Sequence, residues 1–414
     1  MLRAGAGGTG KISFADGAGL DAFGRLRVSN PQGLFDSQFT YNLQPLLYEQ
    51  ITAQSGATIA HDATNRNALM TFASTPTGGS AYMQTFEYFR YQPGKSQLPV
   101  MTFNFIEATA NCLKFVRYGD SNNGFSFENN GTTNRFVIYS DTGVGDQIAN
   151  QADWNVDKLD GTGTSGVTLN IAMAQIFFVD LQALYTGRVR FGFEIDGRSI
   201  ICHESKNANN TSLPYIQTAN LPIRAGMTCT GTVSTTMRFT CATVISEGGS
   251  DKTIGFEFAQ EGTVTAASGA ATHLLSIRPK TTFNGIENRV SLAFIEVNIL
   301  VTGTNPVRWD LVIGQAISGT TTFNDVNTTY SSTEYNTAGT ISGAPAIILD
   351  SGYVDSSGAG SKANGAGQMT LTSRYPVTLD AAGAVRALGT LSLNVTGIGG
   401  TSACRGSIKY IEVR

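Results

Sequence analysis

Ala174 to Glu204 reads A-Q-I-F-F-V-D-L-Q-A-L-Y-T-G-R-V-R-F-G-F-E-I-D-G-R-S-I-I-C-H-E. Three strand signals follow one another in it. Ile176 to Leu181 is a short apolar run of the kind buried on both faces. Arg188 to Ile195 then alternates, with Val189, Phe191, Phe193 and Ile195 on one face and Arg188, Arg190 and Glu194 on the other. Asp196-Gly197 is a two-residue turn that wants positive φ, and Arg198 to His203 returns as the partner strand. A hairpin beside a buried strand predicts the middle of an antiparallel sandwich, with Phe177, Val179, Phe191 and Phe193 in its core.

Working outward, Gln38 to Ser246 is rich in strand signals. They include Ala81–Arg90, Pro99–Ile106, Leu113–Tyr118, Gly124–Glu128, Arg135–Ser140, Val167–Ile171, Ile216–Ile223 and Thr236–Ile245. Turn chemistry separates them at Pro93-Gly94, Asn122-Asn123-Gly124, Asn129-Asn130-Gly131 and Asp160-Gly161. Gly248-Gly249-Ser250-Asp251 marks a boundary, beyond which Arg289–Val301, Trp309–Ile313, Ala346–Leu349, Leu388–Val395 and Ile408–Val413 are further strands. Asp355 to Gly367 reads as a loop. The expected organisation is all-β: an extended N-terminal arm over 1–37, an antiparallel β-sandwich or jelly roll over 38–247, and a β-rich C-terminal domain over 248–414. Phe14, Leu20, Phe23, Leu26 and Val28 are the arm's anchors, and its order is expected to come from a neighbouring subunit.

Composition narrows the function classes. Of 414 residues only 14% are charged, against roughly 25% in ordinary soluble domains, and 47 are glycine. A net charge of -3 gives no electrostatic case for nucleic acid or an anionic membrane. No run approaches the roughly 20 apolar residues of a membrane helix, and the first residues lack the apolar core of a signal peptide. Five cysteines without a C-x-x-C pair read as small buried hydrophobes in a reducing cytoplasm, with no zinc site and no disulfide framework.

Candidate chemistry is sparse. Asp153, Asn155 and Asp157 have the 1, 3, 5 spacing of a calcium loop. Lys158 and Thr164 stand where such a loop wants its Gly and its acid, so a capped polar turn with Trp154 as core anchor is the competing reading. His203-Glu204 with Asp196 could form an acid–base group, but His203 ends an apolar strand. Glu128, Glu194 and Glu257, all on strands, could supply the acid pair of a glycosidase. Tyr82 to Tyr91 alternates, with Tyr82, Phe86 and Tyr88 on one face and Phe89 and Tyr91 on the other. That suits a doubly buried strand, a partner contact or a sugar-binding aromatic platform.

Several strings resemble virion structural proteins of tailed bacteriophages: D-A-F-G-R-L-R-V-S (Asp21–Ser29) with L-F-D (Leu34–Asp36), R-Y-Q-P-G-K-S-Q-L (Arg90–Leu98), D-W-N-V-D-K-L-D-G-T-G-T-S-G (Asp153–Gly166), A-Q-I-F-F-V-D-L-Q (Ala174–Gln182), Gly187–Gly197 and Leu213–Arg224. The resemblance covers about residues 21–225. It implies a lectin-like sandwich in a capsid-decoration, head-fibre or tail-associated protein, located in the virion. Its implied partners are other copies of itself and other virion proteins, with no cofactor, no nucleic acid and no membrane. The resulting expectation is a structural, non-enzymatic virion component. Its alternative is a tail-associated protein that binds or depolymerises carbohydrate on the host surface, with a host-surface glycan as partner.

Overall fold

The fold is described from a computed structural model, over residues 3–4, 12–13, 20–22, 31–53, 56–75, 78–182, 184–249, 255–356 and 376–414. Strands dominate and, among these residues, one 3-10 turn (Gln151–Asp153) is the sole helical element, which bears out the all-β expectation. The chain divides into two units, residues 1–85 with 89–252 and residues 86–88 with 253–414.

The first unit is a two-sheet sandwich. Its strands are β1 (Gln32–Gln38), β2 (Tyr48–Ala53), β3 (Ala57–Asp62), β4 (Asn67–Thr75), β5 (Gly79–Thr85), β6 (Ser96–Asn104), β7 (Cys112–Gly119), β8 (Gly124–Asn129), β9 (Asn134–Tyr139), β10 (Gln147–Asn150), β11 (Gln175–Gln182), β12 (Val189–Ile195), β13 (Arg198–Ser205), β14 (Ile223–Cys229) and β15 (Val233–Ser246). One sheet has seven strands in the order β10-β9-β8-β7-β14-β5-β2. The other has eight, β13-β12-β11-β6-β15-β4-β3, with β1 pairing the second half of β15. All the ladders are antiparallel, and the crossovers between sheets produce the sandwich.

The β12–β13 hairpin turns at Asp196 (φ 50°) and Gly197 (φ 71°), the left-handed pair that a tight two-residue turn requires. Val189, Phe191 and Phe193 point into the core with Phe177 and Val179. The hairpin is nevertheless an edge of its sheet, and β6 with β15 takes the central place expected for it. β11 is likewise not buried throughout, since Ile176 is exposed. The core is an aromatic ladder: Phe136 stacks on Trp154 (4.2 Å between centroids) and Phe191 (4.8 Å), and Phe127 meets Phe193 edge to face at 5.0 Å.

Three expectations need correction here. Residues 32–37 are sheet rather than arm, because β1 forms a ladder along β15. Leu20, Asp21 and Ala22 are buried within their own chain: the Leu20 carbonyl accepts from Arg190 (2.6 Å) and the Ala22 carbonyl from Arg188 (3.1 Å). The end of the arm is therefore held by a pair of arginines of its own chain. Phe14, Phe23, Leu26 and Val28 and most of the loop after Asp355 lie outside the described residues. Lastly, Cys112 and Cys229 face each other across β7 and β14 and form a disulfide, so five free thiols is wrong.

The second unit has its own core. β16 (Phe256–Ala266), β18 (Ser291–Val301) and β24 (Ser402–Val413) make a three-stranded sheet in the order β16-β24-β18. β17 (Thr272–Pro279), β19 (Val307–Ile313), β20 (Asn324–Asp325), β21 (Thr333–Asn336), β22 (Ile347–Val354) and β23 (Leu391–Gly397) form six strands ordered β20-β21-β17-β23-β19-β22. Leu274, Leu311, Leu393, Ile408 and Tyr410 fill the space between them.

Candidate functional site

The constellation richest in chemistry lies on the outer face of the seven-stranded sheet. Alternation along each strand sends one set of side chains inward and the next outward. On β8, Phe127 joins the aromatic core while Ser126 and Glu128 point outward; on β7, Val116 and Tyr118 go in while Phe115 and Arg117 go out. The register then aligns the outward residues in two rungs. One runs Gln84–Arg224–Arg117–Ser126–Val137 and the other Tyr82–Gly226–Phe115–Glu128–Arg135. Gly226 is required where it stands. A Cβ there would fall 2.2 Å from that of Tyr82, whose ring packs at 6.4 Å from Phe115 on the far side of this gap.

Glu128 is the hub. It is 0% exposed, and its carboxylate accepts from Arg117 Nη2 (3.0 Å), from Arg135 Nε and Nη2 (3.0 and 2.9 Å) and from the Tyr139 hydroxyl (2.7 Å). Two guanidiniums and a phenol thus satisfy one buried charge, the condition under which a buried carboxylate is tolerated. The Arg117 guanidinium lies over the rings of Tyr139 (3.8 Å) and Phe115 (5.0 Å), and Nη1 donates to the Asp120 carbonyl (2.7 Å). Burial pushes the Tyr139 hydroxyl up to about 12, with Arg117 opposing, so it remains a donor at neutral pH. Across the gap, Arg224 donates from Nε to the Gln84 amide oxygen (2.7 Å) and sits over Tyr82 at 4.8 Å.

No second acid stands beside Glu128 on these rungs. Glu49, opposite Gln84, is four strands away, roughly 19 Å at about 4.8 Å per strand. Glycoside cleavage by a carboxylate pair needs about 5–9.5 Å. The three glutamates considered from sequence are not brought together. Glu194 is on the other sheet beside Ser199, and Glu257 is in the second unit, paired with Lys409 at 2.7 Å.

The calcium-loop residues also part company. Asp157 accepts from the amides of Leu159 (3.0 Å) and Ser165 (2.7 Å), whereas Asn155 brackets the backbone of Glu204, donating to its carbonyl and accepting from its amide (2.9 Å each). Asp153 closes the 3-10 turn, and Trp154 is buried in the core with its indole N–H on the Ala149 carbonyl. Among the described residues no three His, Cys, Asp or Glu are grouped to hold a metal. His203 packs near Phe136 and Phe191, and Glu204 pairs with Arg188 at 2.7 Å. The aromatic run at Tyr82–Tyr91 is not one strand: β5 stops at Thr85, and Phe86 and Tyr88 belong to the second unit under Arg386 (3.8 Å) and Arg289 (4.5 Å). Of that run's aromatic residues Tyr82 alone reaches the rungs, with Gln84 between it and the end of β5.

Arg117, Arg135, Tyr139, Arg224 and Phe115 were missed from sequence. A signal for two of them exists. A hairpin with the four-residue loop Asn130–Thr133 puts Glu128 opposite Arg135, and one with the four-residue loop Asp120–Asn123 puts Ser126 opposite Arg117.

No family model matches the chain, and no curated protein matches it. Solved structures that do match include a glycosyl hydrolase family protein from Mycobacterium fortuitum (13% identity, TM-score 0.35, 51% of this chain and 99% of that one). A Bacillus licheniformis β-glucanase matches at 12% identity and TM-score 0.34, over 51% of this chain and 98% of that one. A protein described as an immunostimulatory antigen and pseudo β-1,3-glucanase of Mycobacterium tuberculosis matches at 10% and 0.36, over 52% and 98%. Against these findings two expectations are withdrawn, the structural role in a phage virion and the chain without enzymatic character: these three structures are described as a glycosyl hydrolase family protein, a β-glucanase and a pseudo β-1,3-glucanase, none of them as a virion protein. A likeness of this degree brings no activity, substrate or site residue to this chain.

Proposed function

We propose that the first unit recognises carbohydrate on the outer face of its seven-stranded sheet. One observation carries the reading: two adjacent rungs interleave the rings of Tyr82, Phe115 and nearby Tyr139 with Arg117, Arg224, Arg135 and the carboxylate of Glu128. A sugar ring offers an apolar C–H face and a rim of hydroxyls. Flat aromatic surface meets the first, and donors and acceptors fixed by their own hydrogen bonds meet the second. The half-buried side chains of Tyr82, Tyr139 and Arg135 supply the contact layer, and the buried Arg117–Glu128 pair beneath holds it in place.

Affinity electrophoresis and calorimetry of the full chain against laminarin, mixed-linkage glucan, dextran and polygalacturonate test this. Retention by at least one of them is expected, weakened about tenfold or more in Tyr82→Ala and Tyr139→Ala variants that keep the wild-type circular dichroism. Absence of retention by every polymer, or variants that bind as the wild type does, would sink the reading. Reducing ends released from a retained polymer, and not released by Glu128→Gln, would extend recognition to cleavage.

A further inference from the structure

We infer that the second unit joins a second copy of this chain through β16, edge to edge and antiparallel, so that two three-stranded sheets become one of six. β16 pairs β24 without a break over all 11 of its residues, and among the described residues no strand pairs with its other side. A free row of backbone N–H and C=O groups is a template for another strand. Sheets ordinarily protect such a row by short length, a bulge, proline or lysine. Other edges of the molecule are protected. β3 and β10 have 6 and 4 residues, and β18 and β22 carry bulges in their ladders. β13 is bulged against β12, and its Cys202 carbonyl accepts from the amides of Val156 and Asp157 (3.0 Å each). β16, F-E-F-A-Q-E-G-T-V-T-A, has none of these devices.

The strand's own sequence points to a second copy as the occupant, because it is complementary to itself in one register. Phe258 and Val264 pack against the core yet are only partly buried, and Phe256 on the same face is 61% exposed. Glu257, Ala259, Glu261 and Thr263 alternate with them and are exposed. Residues that share a face must meet across the new ladder, so its two-fold axis passes through a residue position. An axis at Ala259 sets Glu257 against Glu261, and one at Glu261 sets that carboxylate against itself. An axis at Gly262 or beyond leaves Phe256 and Glu257 outside the ladder. An axis at Gln260 avoids both faults. It sets Phe256 against Val264, Phe258 against Gly262, Glu257 against Thr263 and Ala259 against Glu261 of the second copy. No like charges are opposed, and a ring covers the glycine.

Sedimentation velocity of the full chain across a wide range of concentration tests this, and a dimer that dissociates on dilution is expected. Thr263 stands opposite Arg405 within its own sheet, so Thr263→Glu should keep the fold. In the dimer the new carboxylate meets Glu257 of the second copy, once on each side of the axis, and should weaken association about tenfold or more. Adding Glu257→Lys turns both contacts into opposite-charge pairs and should restore the dimer, at the cost only of an exposed pair with Lys409. Should Thr263→Glu lose the wild-type circular dichroism, Gln260→Cys decides. That position meets its own copy at the axis, so oxidation should link two chains that the wild type leaves unlinked. A monomer at every concentration overturns the inference, as does a dimer indifferent to Thr263→Glu. A dimer lost in Thr263→Glu and not restored by Glu257→Lys, or a Gln260→Cys chain that does not crosslink, overturns the pairing about Gln260.

Discussion

Phe127 and Glu128 are consecutive residues of β8, and neither has any surface open to solvent. They face opposite sides of one sheet and are buried for different reasons. Phe127 lies in a ladder of rings whose worth comes from area removed from water and from close packing. Glu128 lies in an ionic knot whose attraction offsets a desolvation cost of similar size. The inner face is therefore a source of stability. The outer face is nearly neutral in stability, and a network so placed is better explained by what it can bind.

The largest effect expected from this contrast is on the inner side. Phe136→Ala removes the ring on which Trp154, Phe177 and Phe191 stack, and should lower unfolding free energy by about 3–5 kcal/mol in denaturant titration. A loss below about 1 kcal/mol would break the claim that these rings hold the sandwich together.

On the outer side, Glu128→Ala leaves two guanidiniums without their shared counter-ion and should cost about 3 kcal/mol. Replacing the knot by apolar residues, as in Arg117→Met with Glu128→Leu, should recover most of that loss and abolish glycan retention. If the double variant is as unstable as Glu128→Ala, the network is structural after all.

Lys114 gives a smaller test that depends on pH. Its ammonium is buried in the sandwich, donating to the carbonyls of Phe105 (2.7 Å), Glu107 (2.9 Å) and Thr236 (3.0 Å), and burial pulls its pKa down to about 8. The folded state therefore holds fewer protons than the unfolded chain between about 8 and the ordinary lysine value near 10.4, so stability should rise with pH across that window. Lys114→Met should flatten the rise. A wild-type profile with no upward slope there would contradict the burial-lowered pKa of this ammonium.

The smallest effect belongs to the loop at Asp153–Asp157. Asn155→Ala deletes two hydrogen bonds to the Glu204 backbone, both exposed, and should cost about 1 kcal/mol. A calcium-dependent melting midpoint that Asn155→Ala abolishes would instead make this a metal loop.

How far sequence could go differs from element to element. The β12–β13 hairpin was legible because its period-two alternation and Asp-Gly turn are local facts. β3 and β4 were not, because Ala57–Asp62 and Asn67–Thr75 mix Ala, Thr and Asn with few large apolar residues. They are strands because they pair with each other and β4 with β15. Tyr82 to Tyr91 had the right alternation for one strand, but Phe86 and Tyr88 are used elsewhere. Of the site, Glu128 was visible as an acid on a strand, while its arginines were not, since their meaning depends on which strands become neighbours.

Taken alone, then, the sequence determined what short-range physics controls: all-β secondary structure, the tight turns and the aromatic identity of the core. Only the tertiary structure decided the order of the strands, and with it every property that depends on opposition across a ladder. It moved the hairpin to a sheet edge, brought Cys112 to Cys229 across 117 residues, and set Arg117 against Arg224 across a similar distance. The reason is that a strand's pattern fixes which side chains share a face, whereas its neighbours are chosen by how two whole sheets fill the space between them.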